Sequence, residues 1–441
     1  MDYRIYPPEE LIEDGVVTLP ASKSILNRRL VLDMLTPGVT PLAAPDEADE
    51  CDDIRVMRQA LGAISTSAGG RIEINVGESA TALRFLTAVI ASQPGCQAIL
   101  TGLPGVLCRP VGDLVEALKK CGATIDYVDR EGYAPLRISG GELVGGEVLI
   151  NATVSSQFIS ALMLVAPRMN LGLKIRFDGE PASLPYIKMT AAMMQRYGAE
   201  VELLPLSATV KPGTYHPATP SPEADWSAAS FWYEVVALTA GWVTLRGEED
   251  IPLLLPEESI QGDAVTARYF ESLGVLTQPS EDTVGALSLS PSPEVYGRLD
   301  LDLYENPDLA PALTVTCCML GVPFKFTGLG SLSIKECDRL QTLVDEMDKV
   351  GCRLDKIRDY GIEWEGKRHP IVSLPEFDTH ADHRMAMAFA PVAAYIPGIV
   401  VKEADCVAKS YPGFWDALRS LGFRTVDPSL PIDTPTVDDA D

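Results

Sequence analysis

The sequence predicts an α/β protein built from repeated βαβ-type units. Six times an amphipathic helical stretch ends at a glycine and a strand-like stretch follows: "MRQALGAIS", "LVEALKKCGATID", "AAMMQRYGAEVEL", "ARYFESLGVLT", "LVDEMDKVGCRLD" and "WDALRSLGFRTV". Their glycines, Gly62, Gly122, Gly198, Gly274, Gly351 and Gly422, lie 60 to 77 residues apart, a near-regular supersecondary repeat. Glycine suits the left-handed position just past a helix C-terminus. Each interval has room for about two helices and several strands at mean lengths of about 12 and 6 residues. The chain has 441 residues and is 46% hydrophobic, enough to bury a sizeable core and long enough for two or more domains.

Along the chain, the apolar helices begin with cations or hydroxyls. Residues 20–30, "PASKSILNRRL", place Ser22 or Ser24 as a helix cap, with Lys23 and Arg28 in the first turns. "LCRPVGDL" puts Arg109 before Pro110 at a helix start. "SSQ" at 155–157 heads the apolar helix "FISALMLVAP". "NPDLAPALTV" gives Asp308 at a helix start, and "SLSIKECDRL" sets Lys335 and Arg339 four apart, on one face if a helix opens there. "THADHRMAMAFAP" places Asp382, His383 and Arg384 at the head of a long apolar helix, and "VAKSYPGFW" adds Lys409 near the last one. Each cluster read alone also fits an ordinary cap or a solvated salt bridge. One anion site served by many helix N-termini accounts for all of them together. The tail from about Asp427, "DPSLPIDTPTVDDAD", is Pro-rich and acidic, and is expected to fray.

The net charge of -26 argues against general nucleic-acid binding and against anionic membranes. Anionic substrates would need cations gathered locally against that field. Nine cysteines without paired metal spacing and only four histidines argue against zinc. "MDYRIYPPEE" lacks an apolar targeting core, and the apolar run near 386–401 is short and broken by prolines. The expectation is a reduced, cytoplasmic protein.

"LPASKSILNRRLVL", "SSQFISALMLVAP", "SLPYIKMT", "IKECDRL", "DHRMAMAF" and "KSYP" occur in this order and span nearly the whole chain. The set closely resembles the 5-enolpyruvylshikimate-3-phosphate synthase family. The resemblance implies the enolpyruvyl transferase fold, two domains each of three βαβαββ units, with the active site in the interdomain cleft. Residues 1–19 plus 227–441 would form one domain and 20–226 the other, and the N-terminal strand would join the C-terminal half.

By the same resemblance the substrates are shikimate 3-phosphate and phosphoenolpyruvate, and the enolpyruvyl group passes to the sugar-like 5-hydroxyl with release of phosphate. Ser24, Arg28, Ser155, Ser156, Gln157, Ser183, Tyr186, Asp308 and Lys335 would hold shikimate 3-phosphate. Lys23, Arg109, Gln157, Arg339, Arg384 and Lys409 would hold phosphoenolpyruvate. Asp308 would take the hydroxyl proton, and Glu336 with Lys23 would exchange protons at C3. Lys409 completes the catalytic set. No metal or organic cofactor is expected, no nucleic acid or membrane partner, and a monomer. Cations from the two halves are expected to repel in an empty cleft and hold it open. The resemblance departs at "ESATALR", residues 78–84, where Glu78 stands for an Asn and Ala80 for a Gly, and at Ser331, where the family has Asn. Ala80 would crowd the slightly longer inhibitor glyphosate. The rival readings are UDP-N-acetylglucosamine 1-carboxyvinyltransferase, disfavoured because "LTGLPGVL" carries no Cys, and a non-catalytic paralogue.

Overall fold

Alternation along the strands shows which face each sheet buries. In Leu173–Asp178 the side chains of Leu173, Ile175 and Phe177 are buried, while Lys174, Arg176 and Asp178 point outward. The computed structural model describes residues 1–39, 50–67, 70–218 and 222–429. Residues 430–441, most of the acidic tail, lie outside the described residues.

Five four-stranded sheets occur among the described residues, and four of them share one strand order. Strands Gly146–Asn151 and Leu173–Asp178 pair in parallel, Ser207–Val210 lies antiparallel beside the second, and Val201–Leu204 takes the outer edge. The parallel pair requires a crossover, and the helix Ser156–Val165 supplies it. The same first, second, fourth, third order recurs in the sheets containing Arg71–Asn75, Gly15–Leu19 and Leu299–Asp302. In the fifth sheet the fourth place is filled by the N-terminal strand Tyr3–Tyr6, between Ile399–Val401 and Arg424–Val426.

Five of the six repeat glycines, from Gly122 to Gly422, adopt positive φ, as a left-handed stop requires. Gly62 does not. It lies inside the helix Asp52–Thr66, which runs on four residues past it. Its apolar periodicity continues through Ile64, so burial of that face extends the helix beyond the expected stop.

The buried apolar side chains fall into two clusters. One draws on residues 5–19 and 224–423, the other on residues 25–215. The chain passes between them along two adjacent segments, where Ser22 N–H donates to Glu223 O at 2.8 Å and Asp225 N–H donates to Pro20 O at 2.9 Å. Each cluster is threaded by helices that are apolar almost all round, such as Ala80–Ala91, Ser156–Val165, Trp226–Thr239 and Ala310–Leu320. No helix among the described residues is long and apolar enough to cross a membrane.

Candidate active site

The cation-bearing helix heads meet in one cleft lined from both clusters. It brings together Lys23, Ser24, Arg28, Ala80, Arg109, Ser155, Ser156, Gln157, Ser183, Tyr186, Asp308, Lys335, Glu336, Arg339, Arg384 and Lys409, every residue expected at the site. Eight lysines and arginines line it against three carboxylates, an excess of five positive charges in a chain of net charge -26. Low-dielectric walls focus such a field on an anion in the cleft.

The wall formed by residues 23–186 holds two of its four cations, Arg28 and Arg84, with neutral acceptors alone. Lys23 opens the helix Lys23–Leu35. Ser22, the expected cap, makes no side-chain capping bond; Asp225, on the other crossing segment, accepts from the Lys23 backbone N–H at 3.2 Å. Burial works against the Lys23 ammonium, but Asp53 at 2.9 Å more than offsets it, leaving its pKa raised. Arg28 is buried, and its guanidinium donates to Thr190 Oγ1 (2.7 Å), Ser24 O (2.9 Å), Tyr186 O (3.2 Å) and Ser160 Oγ (3.3 Å). None of these is a carboxylate, and burial pulls its pKa down to about 10. Arg84 donates to Gln157 Oε1 at 2.6 Å, and burial with the nearby Arg109 charge lowers its pKa to about 9. Ser155 caps the helix Ser156–Val165 by accepting from Gln157 N–H at 3.3 Å. Ser183 sits at φ 54, a strained left-handed conformation for a residue with a Cβ, which costs about 1–3 kcal/mol. Ala80 is the first residue of Ala80–Ala91, buried, and capped by Ser79.

The opposite wall binds its cations with carboxylates. Asp308 faces Arg339 (2.8 Å), Lys335 (3.2 Å) and Arg384 (3.4 Å). Burial alone would raise its pKa, but these three cations, Arg384 foremost, hold it far below the usual carboxylate range. Glu336 faces Lys409 and Arg339, each at 2.8 Å, and Arg109 at 3.0 Å. Against burial, Lys409, Arg109 and Arg339 drive its pKa well down. Arg339 is itself buried and gripped by Asp382 at 2.7 Å, and against burial the carboxylates raise its pKa. Asp382 also caps its own helix, accepting from Arg384 N–H at 2.9 Å.

Several local expectations are corrected. Lys335 and Arg339 do not share a helix face: Lys335 follows the 3-10 turn Gly330–Ile334, and Arg339 begins the helix Arg339–Asp348 with Asp338 as cap. They converge because Asp308 sits between them. Arg109 does not start a helix either. It follows the short helix Pro104–Leu107, and the next helix begins at Gly112. Asp308 lies in the 3-10 turn Pro307–Leu309 and makes no capping bond. The helix headed by Asp382 is short, His383–Phe389. The cations of the two walls are interleaved with carboxylates. Glu336 bridges Arg109 of one wall to Lys409 of the other, and Lys409 Nζ donates to Glu78 O across the cleft at 3.1 Å. Interleaved carboxylates remove the repulsion that a count of cations alone implies.

The sequence reading left Asp53, Arg84 and His383 without a role at the site. Arg84 carries the signal used elsewhere, a cation on the first turns of an apolar helix. Asp53 looks like an ordinary first-turn acid, and nothing local marks it as the partner of Lys23. His383 lines the cleft with no hydrogen-bond partner on either ring nitrogen, and the Asp382 carboxylate is 3.8 Å away. Burial first, then Lys23, pushes its pKa well below the usual histidine value. A second cavity shares Asp53, Arg109, Glu336 and Lys409 with the cleft and leads past Gly77 and Glu78.

A sequence profile described as EPSP synthase (3-phosphoshikimate 1-carboxyvinyltransferase) matches residues 11–418. A Bacteroides fragilis protein named 3-phosphoshikimate 1-carboxyvinyltransferase is 42% identical over 96% of this chain and 98% of its own length. One of the same name from Photorhabdus laumondii is 32% identical over 93% of this chain and 97% of its own. The solved structure of EPSP synthase from Acinetobacter baumannii superposes with a TM-score of 0.72 at 20% identity, covering 97% of this chain and all of that one, which shows the shared fold. A matching profile across nearly the whole chain, over a cleft where the helix heads converge, leads to one conclusion: the chain belongs to the EPSP synthase family.

Proposed function

We propose that the protein transfers the enolpyruvyl group of phosphoenolpyruvate to the 5-hydroxyl of shikimate 3-phosphate and releases phosphate, a step toward chorismate and the aromatic amino acids. The observation that carries this reading is the cleft's excess of cations around two embedded carboxylates, Asp308 and Glu336. The hydroxyl-rich wall, with Arg28, Ser155, Ser156, Gln157, Ser183 and Tyr186, takes shikimate 3-phosphate. Arg109, Arg384 and Lys409 take phosphoenolpyruvate, with Arg339 holding the carboxylates that face it.

In this scheme the 5-hydroxyl oxygen bonds to C2 and its proton passes to Asp308. C3 gains a proton from Lys23 or the Lys409–Glu336 pair, giving a tetrahedral intermediate. C3 then returns that proton while the C2–O bond to phosphate breaks. Held by the surrounding cations, Asp308 and Glu336 are weak bases. Bound anions share those cations, and the carboxylate pKa values climb toward a useful range. The substrates thus prepare the groups that act on them. The lysines and arginines neutralise the departing phosphate, so the scheme draws on no metal or cofactor. In the same reading residues 1–19 with 227–441 and residues 20–226 are the two domains, and the protein works as a cytoplasmic monomer.

The test is phosphate release on mixing both substrates. Release with UDP-N-acetylglucosamine in place of shikimate 3-phosphate would point to the rival transferase, and binding without release to a non-catalytic paralogue.

A further inference from the structure

Asp263 lies outside the cleft lining and has no part in the scheme above, yet it is buried and its carboxyl collects three donors from different elements. Tyr186 Oη donates to it from the other wall at 3.2 Å. Asn306 Nδ2 donates at 3.0 Å, two residues before Asp308, and Ser227 Oγ donates from the second crossing segment. Gly262, beside it, bears on the same contact. A Cβ there would lie 2.2 Å from Pro185 Cβ and 3.0 Å from Asn306 Nδ2. Its backbone is not in the left-handed region, so it is the closeness of Pro185, and less severely of Asn306, that forbids a side chain. Pro185 and Tyr186 belong to the first turn of Leu184–Arg196, whose head is also tied across by Ser183 N–H to Tyr304 O (3.2 Å) and by Tyr304 Oη to Glu180 O (2.6 Å).

We infer that Gly262 and Asp263 are positioning residues: they form a seat that fixes the Ser183–Tyr186 turn of one wall against the Asn306–Asp308 turn of the other. The bare glycine lets the proline approach, and the carboxylate then links the Tyr186 hydroxyl to the amide that steadies the Asp308 turn. Misplacement of a positioned group by about 1 Å costs up to about 10²-fold in rate. The seat therefore sets how the phosphoshikimate side of the site meets the catalytic carboxylate.

The kinetic arm of the test rests on the enolpyruvyl-transfer reading. In Gly262→Ala the KM for shikimate 3-phosphate is expected to rise about tenfold or more, with the KM for phosphoenolpyruvate changed little and the thermal midpoint held within a few degrees. Pro185→Gly in that background removes the opposing ring and is expected to recover the loss. Asp263→Asn, which presents a donor where three donors converge, is expected to lower kcat as well. A second arm uses no substrate. The radius of gyration of the ligand-free protein from small-angle scattering should grow in Gly262→Ala and return in the double variant. A wild type that releases no phosphate overturns the functional reading and leaves this arm standing. Wild-type KM and unchanged scattering in Gly262→Ala overturn the seat. So does an equal loss for both substrates with a lower thermal midpoint and no recovery by Pro185→Gly.

Discussion

The two walls of the cleft carry the same number of cations and treat them differently. On the first, Arg28 and Arg84 lean on hydroxyls, an amide and backbone carbonyls, with no carboxylate among their hydrogen-bond partners, while Lys23 pairs with Asp53 and Arg109 with Glu336 of the other wall. On the second, Lys335, Arg339, Arg384 and Lys409 are threaded by Asp308, Glu336 and Asp382. A neutral acceptor fixes a guanidinium's direction while leaving its charge available, so the first wall is suited to holding an anion. A carboxylate cancels part of the charge and can itself accept a proton, so the second wall is suited to moving protons. Burial without a counter-charge shows as the lowered pKa values of Arg28 and Arg84, and burial with one as the raised value of Arg339.

The largest effect should come from the second wall. Asp308→Asn keeps the shape but removes the base, and turnover is expected to fall by about 10²–10⁴-fold while the protein stays folded. Near-normal turnover in a folded variant would show that another group takes the hydroxyl proton.

The first wall should answer through affinity. Arg28→Lys retains the charge but cannot reach four acceptors at once. Losing charge-assisted bonds of about 1.5–3 kcal/mol predicts a rise of about 10–150-fold in the dissociation constant for shikimate 3-phosphate, measured by calorimetry. If kcat fell instead with affinity intact, the division of labour between the walls would be wrong.

Ala80 tests the first wall at the scale of one methyl. Ala80→Gly is expected to increase glyphosate inhibition by about tenfold at matched phosphoenolpyruvate saturation, the low end of methyl-sized discrimination, because the methyl is largely buried. Strong inhibition of the wild type that the variant does not change would mean the methyl stays clear of the inhibitor.

The smallest effect concerns His383, on the second wall yet without a counter-charge bonded to it. Its folded pKa lies below the ordinary value near 6.5, so below that pH the unfolded chain binds a proton that the folded chain does not. Stability then falls as pH falls. Between pH 7.5 and 5.5 this group should remove up to about 1.4 kcal/mol, a loss that His383→Asn abolishes in denaturant titrations at the two pH values. Parallel pH profiles for wild type and variant would show that His383 titrates normally.

Local sequence determined much of this molecule. Period-2 alternation in "LKIRFD" set the inner and outer faces of a strand, and stretches such as "FISALMLV" and "PALTVTCCML" had to be interior helices because they are apolar all round. Hydroxyls and cations at the heads of those helices marked the site, since free helix N–H groups and nearby cations both favour an anion. The order of six motifs made the family legible. What the sequence could not decide was which charge meets which. Asp308 reaches Lys335 and Arg339 from about 30 residues away, Glu336 reaches Lys409 from 73, and Asp225 caps Lys23 from 202. Gly62 failed as a stop because the buried face of its helix continued past it. Lys335 and Arg339 looked like neighbours on a helix and are instead neighbours around a carboxylate. Periodicity acts through adjacent turns and is written in the local sequence. Ion pairing and close approach act through distances across space, which the chain acquires only when its two apolar clusters bring their helix heads together at the cleft.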